Sequence, residues 1–142
     1  MVDAVRDTPD AIEGGSLVAT DRAGAVIGHA LLSRGALLAG DGTERPIWML
    51  GPFSVHPDVQ GRGVGARLMR AVIDLATRRG QPVVCLLGHA SYYPHFGFEP
   101  GRALGILPPM DWPDEAWQVL RLPAWTPELR GTARYAAAFG IS

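Results

Sequence analysis

At 142 residues and a formal net charge of −1, the chain has the size of one domain and no global field to gather nucleic acid or an anionic membrane. Hydrophobic residues make up 47% and charged ones 19%, an ordinary balance for a soluble globular protein that needs no covalent staples. Cys85 is the single cysteine, which excludes an internal disulfide and a thiolate metal cluster; no metal is expected.

Met1 to Gly15 is polar and acidic, without the apolar core of a signal peptide, and no stretch approaches the ~18 apolar residues of a membrane span. The expected location is the cytoplasm, with neither membrane nor nucleic acid as partner. Leu17 to Thr20 reads as a short strand, Asp21-Arg22-Ala23-Gly24 as a turn, and Ala25 to Leu32 as the second arm of a β-hairpin. Ala39 to Gly42 is a loop by composition. A third strand runs from about Pro46 to Val55, interrupted by Gly51-Pro52. Pro cannot donate a ladder hydrogen bond, so the pair predicts a bulge or a local splay.

The clearest helix follows. Val64, Leu68, Ala71, Val72, Leu75 and Ala76 recur at three- and four-residue intervals on one face, with Arg67, Arg70, Asp74 and Arg78 on the other. Asp74 and Arg78 form an i,i+4 pair, Gly80 supplies the stop, and the whole is about four turns, roughly 24 Å. Val83 to Leu87 is a continuous apolar run, as a strand buried on both faces should be, and Cys85 within it reads as a buried small hydrophobe. Strand, helix, strand in this order makes a crossover to a parallel neighbour. Ala116 to Leu122 and Thr132 to Ala138 are two further strands. The fold class is α/β (α+β): a mixed, mostly antiparallel twisted sheet with a central β-α-β crossover and a splayed strand. One domain, 1–142, is expected, with a short segment over 1–16.

Between the third strand and the helix lies Gln60-Gly61-Arg62-Gly63-Val64-Gly65. Its three glycines remove the side chains that would keep a ligand from the backbone, where the helix leaves its first four N–H groups unpaired. Those donors, with the positive end of the helix dipole, make an anion site, and Arg62 can add a charge-assisted contact. The alternative is that the glycines only permit a tight turn into the helix. Gly61 to Ala66 also matches the dinucleotide fingerprint G-x-G-x-x-A, but the next strand ends Leu87-Gly88-His89, without the carboxylate that would hold a ribose.

The same residues match the Q/R-x-x-G-x-G/A signature of the Gcn5-related N-acetyltransferase (GNAT) superfamily. Tyr92-Tyr93-Pro94-His95-Phe96-Gly97-Phe98, after the next strand, resembles the family's Tyr-x-x-x-Gly-Phe segment. With Leu-Gly-Pro in the third strand and Phe-Gly-Phe-Glu-Pro after the tyrosines, the chain is similar to the YhbS-like group from about Leu17 to its C-terminus. The resemblance implies acetyl-CoA as co-substrate and a primary amine, of a small molecule or a protein, as acceptor. It places the pyrophosphate on the amides of Gln60, Gly61, Arg62, Gly63, Val64 and Gly65, and the pantetheine arm along Phe53 and Val55, like an added strand. Phe53 or Ser54 is the expected oxyanion donor. Tyr93 matches the tyrosine that protonates the departing thiolate, the other reading being a core tyrosine; Tyr92 reads as the structural member of the pair.

The amine must lose a proton, and some relatives use a Glu on the third strand, which here contains no carboxylate. His89 is the best substitute, because an imidazole titrates near neutrality; the other reading is an ordinary loop histidine. His29 is weaker, and His56 has no assigned role. Trp112, Trp117 and Trp125 are read either as lining the acceptor site or as core. The full family fold begins with a strand and helices for which this sequence has about sixteen residues, so the expectation is a shortened member, a late start, or a homodimer in which another subunit supplies that wall. The competing function is a non-catalytic acyl-CoA-binding module, and a third reading is an oligomerisation domain without ligand.

Overall fold

A computed structural model describes residues 11–88 and 91–134. Strands β1 (Ala11–Thr20) and β2 (Val26–Leu38) form the predicted antiparallel hairpin. Its turn is made by the Asp21 carboxylate, which accepts from Ala23 N at 2.9 Å and Ala25 N at 3.0 Å. Both arms run longer than their apolar patterns. β1 starts six residues before Leu17, in a Gly- and Glu-containing segment with no alternation to reveal it.

β2 turns through residues 39–43 into β3 (Glu44–Val55), again antiparallel. Side chains then alternate across the sheet: Trp48 and Leu50 join one hydrophobic cluster, Ile47 and Met49 the other. Helix α1 (Val64–Arg78) covers the first cluster with Val64, Leu68, Met69, Val72, Leu75 and Ala76. Met69 is fully buried, and the predicted Ala71 lies at the half-buried margin of that face. Asp74 and Arg78 pair at 2.8 Å on the exposed side. The helix stops where Gly80 turns left-handed (φ +73), with Gly80 N bonded to Thr77 O and Gln81 N to Ala76 O. That is a Schellman motif, and it needs the glycine.

β4 (Val83–Leu87) returns parallel to β3, and β7 (Trp117–Arg121) pairs antiparallel with β4 along its whole length. The predicted last strand appears as β8 (Gly131–Arg134), while its continuation to Ala138 lies outside the described residues. Two-residue strands β5 (Glu99–Pro100) and β6 (Ile106–Leu107) complete the sheet, in the order β5-β7-β4-β3-β2-β8-β6 with β1 on β2. These two were not legible, being too short for any periodicity, and β6 adds a second parallel pairing, with β8. No helix among the described residues is long and apolar enough to cross a membrane.

The face away from α1 holds the second cluster, centred on Trp117. The indole is fully buried, its N–H donates to Ile106 O at 3.0 Å, and Trp112 packs against it with ring centroids 6.1 Å apart. Trp125 is half-buried beneath the Arg121 guanidinium, 5.0 Å from its ring centroid. Trp117→Ala is expected to lower stability by about 3–5 kcal/mol. Trp125→Ala, which gives up a cation–π contact and part of the packing against this cluster, should cost less, about 1–2 kcal/mol. Urea unfolding of the two variants measures the difference.

Candidate acyl-coenzyme A site

The site begins where two strands part. β3 and β4 are paired only at Trp48↔Val84 and Met49↔Cys85. Two residues further along β3, Gly51 and Pro52 together oppose Leu31 of β2, because Leu32 pairs with Leu50 and Ala30 with Phe53. The extra residue is a bulge, which bends its strand, and Pro52 brings no N–H to either neighbour. Beyond it β3 stays with β2 as far as Gly28↔Val55, while β4 stays with β7 as far as Leu87↔Trp117. The predicted interruption is therefore a splay, and the β4-facing edge of Phe53, Ser54 and Val55 borders the opening.

The second wall is the turn that leads into α1. His56 N donates to Ile27 O at 2.7 Å, and the His56 ring accepts from Asp58 N at 3.1 Å, which starts a 3-10 turn over Pro57–Val59. The Gln60 side chain donates to Val55 O at 3.3 Å, tying the turn to the end of β3. Gly61 and Gly63 then take left-handed conformations (φ +82 and +81), where a side chain would be strained. Gly63 is the N-cap and offers no side-chain oxygen to the helix. The first helical amide with a backbone partner is Arg67 N, at 3.1 Å from Gly63 O.

One expectation is corrected here. Of the amides from Gln60 to Gly65, Gln60 N closes onto Pro57 O at 3.4 Å and Arg62 N onto Val59 O at 3.3 Å. The 3-10 geometry consumes them, since each donor there reaches back three residues. The N–H groups of Gly61, Gly63, Val64, Gly65 and also Ala66 make no backbone hydrogen bond among the described residues. Five amides are thus left open at the positive end of α1, with the Arg62 side chain exposed beside them, an arrangement that suits an anion.

The third wall follows β4. Tyr92 and Tyr93 precede and open a 3-10 turn, Tyr93–Phe96, that ends at left-handed Gly97. Their rings pack edge-to-face with centroids 5.2 Å apart, and Phe53 lies 6.4 Å from Tyr92 and 6.2 Å from Tyr93. Tyr93 is half-buried and leans on Phe98, 5.8 Å away, and a methyl placed on Gly88 would overlap its ring. Burial raises both phenols above their ordinary pKa, and the neighbouring Tyr92 raises Tyr93 further, so both keep their protons at neutral pH. Phe53, Ser54, Val55, Gln60, Gly61, Gly65, Tyr92 and Tyr93 enclose a cavity of about 500 Å³. None of these residues is a carboxylate or an imidazole.

Sequence reading missed the reason for the third glycine. Gly65 has ordinary helical φ, but a Cβ there would run into the Tyr92 hydroxyl. Tyr92 therefore lines the cavity and touches the first turn of α1, which is more than a structural place beside Tyr93. The contact spans residues far apart in sequence, so no local spacing signals it. His89 lies outside the described residues. His29 bonds Ser16 Oγ at 3.2 Å on the hairpin. Of the tryptophans, Trp117 lies in the cluster on the sheet face opposite α1 with Trp112 and Trp125 packed against it, and none of the three lines the cavity. Cys85 is buried, and its thiol is pushed far up by desolvation, so it is inert.

Comparisons with known proteins agree with this architecture. Residues 13–100 match the acetyltransferase (GNAT) domain family. The chain is 38% identical over 117 residues to the uncharacterized N-acetyltransferase YjhQ of Escherichia coli K12, spanning 80% of this chain but 64% of YjhQ. The GNAT family N-acetyltransferase YhbS of Escherichia coli, solved in complex with CoA, superposes with a TM-score of 0.79 at 27% identity, covering 88% of this chain and 68% of YhbS. A GNAT family acetyltransferase of Brucella melitensis, solved with acetyl-CoA, gives a TM-score of 0.74 at 32% identity, covering 97% and 75%.

Gly65→Ala is expected to destabilise the protein by about 1–3 kcal/mol, because the new methyl takes the place of the Tyr92 hydroxyl. Adding Tyr92→Phe removes that oxygen and leaves a ring carbon at an ordinary 3.6 Å from the methyl. Most of the loss should then return, and denaturant unfolding of the wild type, both single variants and the double variant reads the coupling.

Proposed function

The chain belongs to the acetyltransferase (GNAT) domain family, and from that premise we propose that it transfers an acetyl group from acetyl-CoA to a primary amine of a small molecule or protein. The observation that carries this reading is the meeting of three features on one cavity: amides at an uncapped helix start, a strand edge freed by a splay, and two protonated tyrosines. Diphosphate suits the first, because backbone N–H groups and the helix dipole bind anions without a counter-charge. The pantetheine arm suits the second, as an extended chain laid beside Phe53 to Val55.

In the reaction the amine nitrogen bonds to the thioester carbonyl carbon, and the carbon–sulfur bond breaks as the sulfur leaves. An N–H of Phe53 or Ser54 is assigned to the tetrahedral oxyanion. Tyr93 is assigned to hand its phenolic proton to the thiolate, whose own basicity rises in a desolvated cavity. His89 remains the sequence candidate for accepting the amine proton. A second reading, an acyl-CoA-binding module without turnover, is favoured by the lack of any carboxylate or imidazole among the described residues that line the cavity. Titration with acetyl-CoA, followed by thiol release over a panel of amines, separates the two: binding without thiol release for any amine leaves only the module.

Gly63→Asp should weaken acetyl-CoA binding about a hundredfold or more, since it sets a carboxylate against phosphate. Gly63→Asn shares the backbone strain and lacks the charge, so it should lose much less; equal losses by calorimetry would count against a diphosphate there. Tyr93→Phe should lower kcat by about 10²-fold. A general acid works only while protonated, and the raised Tyr93 pKa means that wild-type activity is lost as pH climbs above about 10. That alkaline limb should vanish from the kcat profile of the Phe variant.

A further inference from the structure

We propose that the Tyr92 hydroxyl is a coenzyme-binding group, donating a hydrogen bond to the diphosphate where it crosses the first turn of α1. The inference rests on the acyl-CoA reading and separates the paired tyrosines into two tasks, one on the phosphates and one on the sulfur. Its basis is position. A Cβ on Gly65 would collide with that hydroxyl, so the oxygen stands directly over the fourth of the five residues that carry an open amide there. Tyr92 is 37% exposed and lines the same cavity as Gln60, Gly61 and Gly65. Among the described residues its hydroxyl meets no hydrogen-bond partner.

The ring is held in place by its neighbours. Phe96 lies edge-on at 5.3 Å and Tyr93 at 5.2 Å, with Phe53 on the third side at 6.4 Å. A phenol fixed this way loses little freedom when it binds, and partial burial keeps it protonated and therefore a donor. Backbone amides can approach the diphosphate only from the helix end. The phenol comes from the tyrosine turn and its hydroxyl rests against Gly65, beside those amides, so the two can donate to one anion. Gly65 follows as the residue that lets the hydroxyl come this close to the helix start.

The test uses Tyr92→Phe, which keeps the ring contacts and removes one oxygen. Calorimetric titration with CoA is expected to show about a tenfold weaker Kd than wild type, as for a lost hydrogen bond to a charged group. NMR titration with pantetheine, which lacks the diphosphate, should give the same Kd for both proteins. Tyr93→Phe should leave the Kd for CoA within about twofold of wild type, the margin of a residue that meets only the sulfur. Unchanged CoA affinity in Tyr92→Phe overturns the proposal, and so does an equal loss for CoA and pantetheine. A wild-type protein that does not bind CoA at all overturns the parent reading and this one with it.

Discussion

The parting of β3 from β4 after Met49 and Cys85 is the constraint on which the remaining arrangement depends. Up to that point the two strands share hydrogen bonds as parallel neighbours in a mixed sheet. The Gly51-Pro52 bulge then adds a residue to β3 that β2 accommodates and β4 does not follow. Main-chain donors and acceptors are thereby left facing a gap, in a place where the sheet on either side is still continuous. Backbone groups in such a position are satisfied either by water or by an extended ligand. Without the splay, the helix start would face a closed sheet edge and its amides would have no cavity to serve.

The start of α1 repeats the same economy of side chains. Gly63 as N-cap forgoes the oxygen that Ser, Thr or Asp would provide, a loss of roughly a few tenths of a kcal/mol against a good cap. What is gained is access: nothing of the protein lies within 4 Å of where a Cβ would stand on Gly61 or Gly63. The three glycines are not equivalent. Two are required by left-handed backbone, the third by a tyrosine oxygen. A signature that treats them alike conceals two distinct physical demands, one conformational and one steric.

The two faces of the sheet are filled differently. The tryptophan-rich cluster behind β4 and β7 fills space and hydrogen-bonds its own indole, while on the α1 side Tyr92 and Tyr93 pack with Phe53, and their rings line a cavity. β4 serves both: Val84 and Leu86 face the helix side, Val83 and Cys85 the tryptophan side. Such double duty explains the unbroken apolar run from Val83, which ends at exposed Leu87 just where the cavity wall begins.

The sequence by itself determined the helix, the hairpin turn, the doubly buried strand and the glycine-rich turn, because each is written in local spacing: a 3.6-residue stripe, an Asp–Gly turn, an apolar run, three glycines before a helix. It also determined that Gly51-Pro52 disturbs β3, since a missing N–H is a local fact. Only the tertiary structure decided that a bulge against β2 and a splay from β4 occur together there, for the splay depends on β4 keeping its bonds to β7. Only it decided which amides of the turn are already spent on 3-10 bonds, which face the tryptophans fill, and that Tyr92 stands over Gly65. Those outcomes depend on groups brought together from distant parts of the chain, and no pattern within a window of neighbours encodes such a distance.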